Sequence, residues 1–287
     1  MELTQNFVKA KRPCADGYRW YIRNRHSGTD YQYLLDSLVR EGRISDAIWL
    51  LDNFGPTDAV LEADDIEADA LVFAGTIVVS GGIHVDGVLR AGQAIRAGGG
   101  VRAGESITAG GDLEAKAGLY CDGAVHVGGD LRVGWSLIAA AALSCGGLVR
   151  VHRDLHCDAD IDTAADLLIG EALAARGNVR CGKGLRAGGE VISEAGIVSA
   201  NGIFAGGDLC ADTHLEAGWG IRAGGDIEAG GAIRAGEGVE AGGTIVAGSG
   251  YGVYAGLAVR MVDWPVCARV QALARPEGLV SGYWGAP

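Results

Sequence analysis

Residues 221–248 read IRAGGDIEAGGAIRAGEGVEAGGTIVAG. Ile221, Ile227, Ile233, Val239 and Ile245 return at every sixth position, and an alanine follows each of them two places later. The same step runs back to Leu71 and on to Leu257, with Leu, Ile or Val at every stop except Tyr251. The third position holds Phe73, Val79 and Val85 at the start and mostly Ala afterwards, with Cys121, Cys145, Cys157 and Cys181 in the same phase.

A flexible linker has no reason to keep such a register. Apolar residues at the first and third positions of a six-residue unit are the inward side chains of a short strand, and the Gly, Asp and Asn between them suit a turn. A helical period of about 3.6 does not fit a step of six. One unit buries too little to stand alone, so the units must stack as a solenoid. The closed form is a triangular, single-stranded parallel β-helix, an all-β fold with about 18 residues per coil. At ~4.8 Å per coil, roughly eleven coils give a rod roughly 50 Å long. An inserted residue near Ala187 is expected to be far worse than a substitution there, because it turns every later inward side chain outward.

Glycine supplies 49 of 287 residues, yet 48% of the chain is hydrophobic and only five residues are proline, which is not the composition of a disordered segment. The net charge of −12 argues against nucleic acid or an anionic membrane as partner and favours a cationic protein. The opening MELTQNFVKAKRPC has no apolar run of signal-peptide length, and no later run reaches the ~20 residues of a membrane span, so a soluble, cytoplasmic protein is expected. The seven cysteines show no paired CxxC spacing and read as free thiols.

Three regions follow: a helical hairpin or cap over 1–70, the six-residue repeats over 71–260, and a C-terminal cap over 261–287. In the first region Tyr31, Leu34, Leu35, Leu38 and Val39 fall at helical spacing after Thr29 and Asp30. Ser45 is placed to cap a second helix with Ile48, Leu50 and Leu51. That second helix has Asp46 and Asp52 but no Lys or Arg, so the pair reads as a packing hairpin and not as a DNA-reading helix-turn-helix. Both ends of the rod are expected to be covered, since bare strand edges recruit other chains.

Candidate chemistry is sparse. VHRDLHCDADID, residues 151–162, offers His152, His156, Cys157, Asp158 and Asp160, but the register turns Cys157 inward and His156 outward and leaves His152 at a corner. The GGD phrases at 110–112, 128–130, 206–208 and 224–226 read as turn aspartates and not as calcium loops, whose period differs. No nucleophile and base share a place, so no enzyme activity, metal or cofactor is expected.

The residue after each inward aliphatic points outward and sorts onto three faces. One is largely basic and reads Arg96, Glu114, Arg132, Arg150, Leu168, Arg186, Phe204, Arg222 and Glu240. Another runs Arg102, Tyr120, Ile138, His156, Ala174, Ile192 and has an apolar middle. Tyr120, Ile138, His156, Ile192 and Phe204 are therefore the candidate partner-binding residues, for a protein partner or for a second copy in a homodimer.

The phrase IRAGGDIEAGG resembles the bactofilins, bacterial polymer-forming proteins, and that resemblance implies a right-handed coil over about 71–260 and a self-assembling scaffold. Hexapeptide-repeat acyltransferases place their small residue two positions before the aliphatic one, the reverse of the order here. CADGYRWYIRN and SDAIWLLDNFGPTD, leading into a solenoid, look similar to immunity proteins of bacterial contact-dependent toxin systems. This second likeness implies an acidic inhibitor of a basic toxin domain.

Overall fold

The computed structural model describes residues 4–24 and 30–285. The six-residue units form strands of two to four residues that stack into three parallel sheets of 13, 11 and 12 strands. Up to Arg269–Gln271 consecutive strands belong to successive sheets, so each regular coil contributes one strand to each face. Leu113, Leu131 and Leu137 are fully buried and typify the first inward position, while the third position fills the remaining space mostly with Ala, with Val at Val79, Val85, Val127, Val133 and Val151 and Cys, Ser or Thr in a few coils. Inward polar groups are satisfied: Thr163, Ser193 and Ser199 donate their hydroxyls to the carbonyls of Gly147, Gly177 and Lys183 in the coil before, at 2.6–2.9 Å.

The solenoid begins earlier than the Leu71 boundary. Strands β1 (Val60–Ala63) and β2 (Ile66–Ala68) precede β3 (Leu71–Phe73) and open the first, second and third sheets respectively. Leu61, Ile66 and Leu71 are only five residues apart, so a count by sixes steps over the first two. The repeat also ends sooner. Tyr251 and Leu257 keep the spacing yet are exposed, because two extra residues at the Gly248–Tyr251 corner bring Val253 onto Ile233. Residues 256–268 then bulge outward, with a short helix Trp264–Cys267, before Val270 pairs with Val239. The C-terminal cap is thus a last, irregular coil: Leu279–Ser281 and Tyr283–Trp284 extend two sheets, and Ala272, Leu279 and Trp284 close the core.

Four helices precede the rod: α1 (Gln5–Ala10), α2 (Ala15–Asn24), α3 (Tyr31–Arg40) and α4 (Ile44–Phe54). The helical spacing predicts α3 and α4, but α4 starts before Ser45, with Arg43 at the cap position and its guanidinium on Asp46. Thr29 lies outside the described residues, and Asp30 occupies the α3 cap position without a side-chain bond. α1 and α2 carry mixed polar sequences that hide their inward Val8, Trp20 and Tyr21.

The helical unit packs on Val72 of β3 and on Ala74 just after it. There Gln32 of α3 donates its amide N–H to the Val72 carbonyl (3.0 Å) and accepts the Ala74 N–H (2.9 Å). Its side-chain amide therefore makes the pair of bonds that a neighbouring strand's peptide would make, and finishes that sheet edge. The outer edges of β1 and β2 have no strand partner among the described residues. Their coil instead carries Asp58, Glu62, Asp64, Asp65, Glu67 and Asp69, charges of one sign that discourage edge-to-edge pairing.

Corner aspartates fix one coil to the next. Asp112 accepts the Asp130 N–H, Asp130 that of Leu148, Asp208 that of Asp226 and Asp226 that of Thr244. These are the four GGD phrases, and the turn reading accounts for each of them. Where the residue before the donor is glycine, as in these four and in Asp160 to Asn178, the bond measures 2.5–2.9 Å. Where it is Glu171 or Lys183, the bonds from Asp154 and Asp166 lengthen to 3.2 and 3.0 Å. A Cβ on Gly225 would stand 1.9 Å from Asp208 Oδ1, so glycine is what lets the carboxylate cross the corner.

The Thr244 N–H, and then its hydroxyl, hold the Asp226 carboxyl below its usual range, and the Asn178 N–H does the same for Asp160. A carboxyl depressed in the folded state stabilises it above its unfolded pKa, about 3.9, and that contribution is lost as pH falls through the folded value. Thermal melts are expected to hold level from neutral pH to about pH 5 and to drop below about pH 4, and Asp226→Asn is expected to shrink the drop. An unchanged acid profile in that variant would count against the corner bonds as its source.

Candidate functional site: the outward faces

Strand pairing stacks Tyr120 on Ile138, Ile138 on His156, His156 on Ala174 and Ala174 on Ile192, all on the second sheet. At one residue per coil the stripe is roughly 20 Å long. Tyr120, Ile138 and Ile192 are 43%, 40% and 38% exposed, so neither the helical unit nor the C-terminal coil lies over this face. The Tyr120 ring lies over Gly118, where a Cβ would meet it at 2.6 Å. His156 bonds Asp158 (3.1 Å), which also takes Arg176 (3.3 Å), and it breaks the apolar run with one polar group.

Phe204 does not belong to that stripe. It sits on the first sheet between Arg186 and Arg222, with the Arg186 guanidinium 4.4 Å from its ring centre. The residues 151–162 diverge as well: Cys157 is buried, His156 is on the second sheet and His152 is at the corner before it. Among the described residues no three His, Cys, Asp or Glu side chains stand where they would hold one metal ion.

Two side chains escape a reading confined to the outward strand position. Trp135 and Trp219, 60% and 56% exposed, occupy corners where most coils have Gly, Ala or a polar residue. Their size at a position otherwise kept small is the signal that marks them. A cavity of about 240 Å³ lies within the helical unit, lined by Cys14, Trp20, Asp46 and Trp49 among others. There the Cys14 sulfur accepts the Gly17 N–H at 3.1 Å and approaches Asp46 at 3.9 Å.

The cysteines divide by burial. Burial pushes the Cys181 thiol up to about 12 and raises those of Cys121, Cys145 and Cys157, whereas Cys14 and Cys267 are exposed. A disulfide-exchange reagent at pH 8 is expected to label Cys14 and Cys267 quickly, Cys210 slowly, and the four inward thiols only in denaturant. Rapid labelling of Cys181 in the native protein would contradict the inward register.

The helical unit has a counterpart elsewhere. Residues 1–54 match the family described as the YdhT N-terminal domain. The match ends at Phe54, the last residue of α4, so what it resembles is the helical unit and not the solenoid. No curated protein and no solved structure matches the chain. No helix among the described residues is long and apolar enough to cross a membrane.

Proposed function

We propose that the chain is a non-enzymatic, protein-binding rod of the cytoplasm, an acidic immunity protein that occludes a basic toxin domain. The observation carrying this reading is the uncovered stripe of Tyr120, Ile138 and Ile192, an exposed apolar run on a rigid surface of the kind that marks interfaces. The net charge of −12 supports a cationic partner, because charge complementarity speeds encounter. The solenoid supports binding over catalysis, since its strands are joined by short corners until residue 256 and raise no loop around a reacting group.

A bactofilin-like scaffold is the second reading. The unpaired outer edges of β1 and β2 favour it, because an open edge is a template for another chain. The acids around those edges and the Trp284 closure at the far end weigh against end-to-end growth.

Size-exclusion chromatography with light scattering separates the two readings. A discrete monomer or dimer is expected, and open-ended filaments would overturn the inhibitor reading in favour of the scaffold. If the species is a dimer, Ile138→Asp is expected to yield monomer with an unchanged circular dichroism spectrum. A dimer that survives this substitution would remove the second sheet from consideration.

A further inference from the structure

Beyond the apolar stripe, we infer that the first sheet is a separate docking face for an acidic amphipathic helix of a partner protein. Along the rod its outward residues run Arg132, Arg150, Leu168, Arg186, Phe204, Arg222, each directly stacked on the next. From Arg150 onward, arginine and apolar side chains alternate. Each coil advances ~4.8 Å, so the arginines recur at about 9.6 Å with an apolar residue between them. Seven residues of an α-helix rise about 10.5 Å, so a helix lying along the rod with an acid at every seventh position meets the arginines in turn. Its apolar residues then fall on Leu168 and Phe204.

Three features favour a helix over an extended peptide. The sheet is hydrogen-bonded from coil to coil along its length, which leaves no backbone edge on this face for a strand to join. Its strands of three residues make it about 10 Å wide, close to the diameter of a helix. The exposed tryptophans stand at its two borders: Trp135 at the corner leaving the first sheet, Trp219 at the corner entering it.

Each tryptophan also adjoins an open cleft. One, of about 380 Å³, is lined by Glu114, Lys116, Arg132, Gly134, Arg150 and His152. The other, of about 440 Å³, is lined by Gly220, Arg222, Glu237, Glu240 and Arg269, together with Val266 of the outward bulge.

Charge decides the sign of the partner. Arg132 pairs with Asp130 (2.7 Å), Arg222 with Glu240 (3.4 Å), and Lys116 with Glu114. Arg150 and Arg186 have no carboxylate partner among the described residues, and Arg186 lies over Phe204 instead. On a protein of net charge −12, two such arginines on one ridge with exposed tryptophan beside it combine the residue types that dominate interface energies. Arginine also suits carboxylates through its planar fork.

The test uses the whole chain and a fluorescein-labelled synthetic helical peptide, 21 residues long by design, with Glu at every seventh position flanked by Leu. A second peptide carries Lys in place of Glu. Fluorescence anisotropy is expected to show binding of the Glu peptide, at least about tenfold weaker binding of the Lys peptide, and weakening with salt. Arg150→Ser with Arg186→Ser is expected to weaken the Glu peptide at least about tenfold, whereas Val198→Ser, at an exposed position on the third sheet, leaves it unchanged.

The inference is overturned if the Glu peptide fails to bind or if the double arginine variant, with an intact circular dichroism spectrum, binds as the parent does. Equal loss in Val198→Ser also overturns it. So does tighter binding of a single-stranded RNA 20-mer or of phosphatidylserine vesicles than of the Glu peptide. None of these outcomes bears on the light-scattering test, which reads a different face.

Discussion

An extra alanine placed inside a strand, between Leu185 and Arg186, is expected to cost more than about 3 kcal/mol, and the same insertion between Gly188 and Gly189 only about 1. Within the strand, side chains alternate between core and solvent, so the added residue must turn either Leu185 or Ala187 outward, or carry the Arg186 guanidinium in. At the corner the added residue loops away. The molecule already contains both kinds of corner change: the first coil is short between Leu61 and Leu71, and all three sheets continue past it, while the Gly248–Tyr251 corner is long, yet the first and third sheets continue past it. An insertion near Ala187 therefore need not reverse every later side chain, as the bare period implies, because the next corner can reset the register. Urea denaturation of both variants checks this, and equal loss of stability would show that corners do not absorb length.

Leu137→Ala is expected to destabilise by about 2–5 kcal/mol, and Ile138→Ala, its neighbour in the same strand, by less than about 0.5. Leu137 is fully buried and lies between Leu119 and Leu155 in an aliphatic column whose neighbours cannot collapse inward without shifting three sheets. Ile138 faces solvent. The contrast uses similar chemistry one residue apart, so it tests orientation and not hydrophobicity. Comparable losses at both sites would mean that the outward face is covered.

The solenoid is legible because burial imposes a period that few other constraints disturb: each inward position repeats the same chemistry, and the pairing of Leu113 with Leu131 is the arithmetic of the coil. What escapes the count is whatever departs from the step. Leu61 and Ile66 stand five apart and look like part of an acidic linker, while Tyr251 and Leu257 keep the spacing after the chain has left it. The outward stripe is legible for the same reason as the core, since an outward Ile138 breaks a rule. Trp135 and Trp219 break it at a corner, a place the two-sided logic of a strand does not inspect. Phe204 shows the remaining limit: position tells which face a side chain occupies, but not that Arg186 folds over it. The edge repair by Gln32 depends on where α3 docks, which no local pattern encodes.

The corner bond of aspartate to the next coil's N–H has a consequence for how such a chain gains or loses length. Each such link refers only to its immediate neighbour, at a separation of 18 residues, and asks of that neighbour a backbone N–H, with the bond shortest where a glycine precedes it. A whole coil can therefore be duplicated or deleted as a block, with both ends rejoining the same kind of partner. Nothing in the core has to be redesigned. Such an event moves every side chain on the far part of the rod by roughly 4.8 Å along its axis. On the first sheet it also moves the alternation of arginine and apolar residue out of step, so the spacing between recognition groups is open to change in single genetic steps while the fold stays as it was.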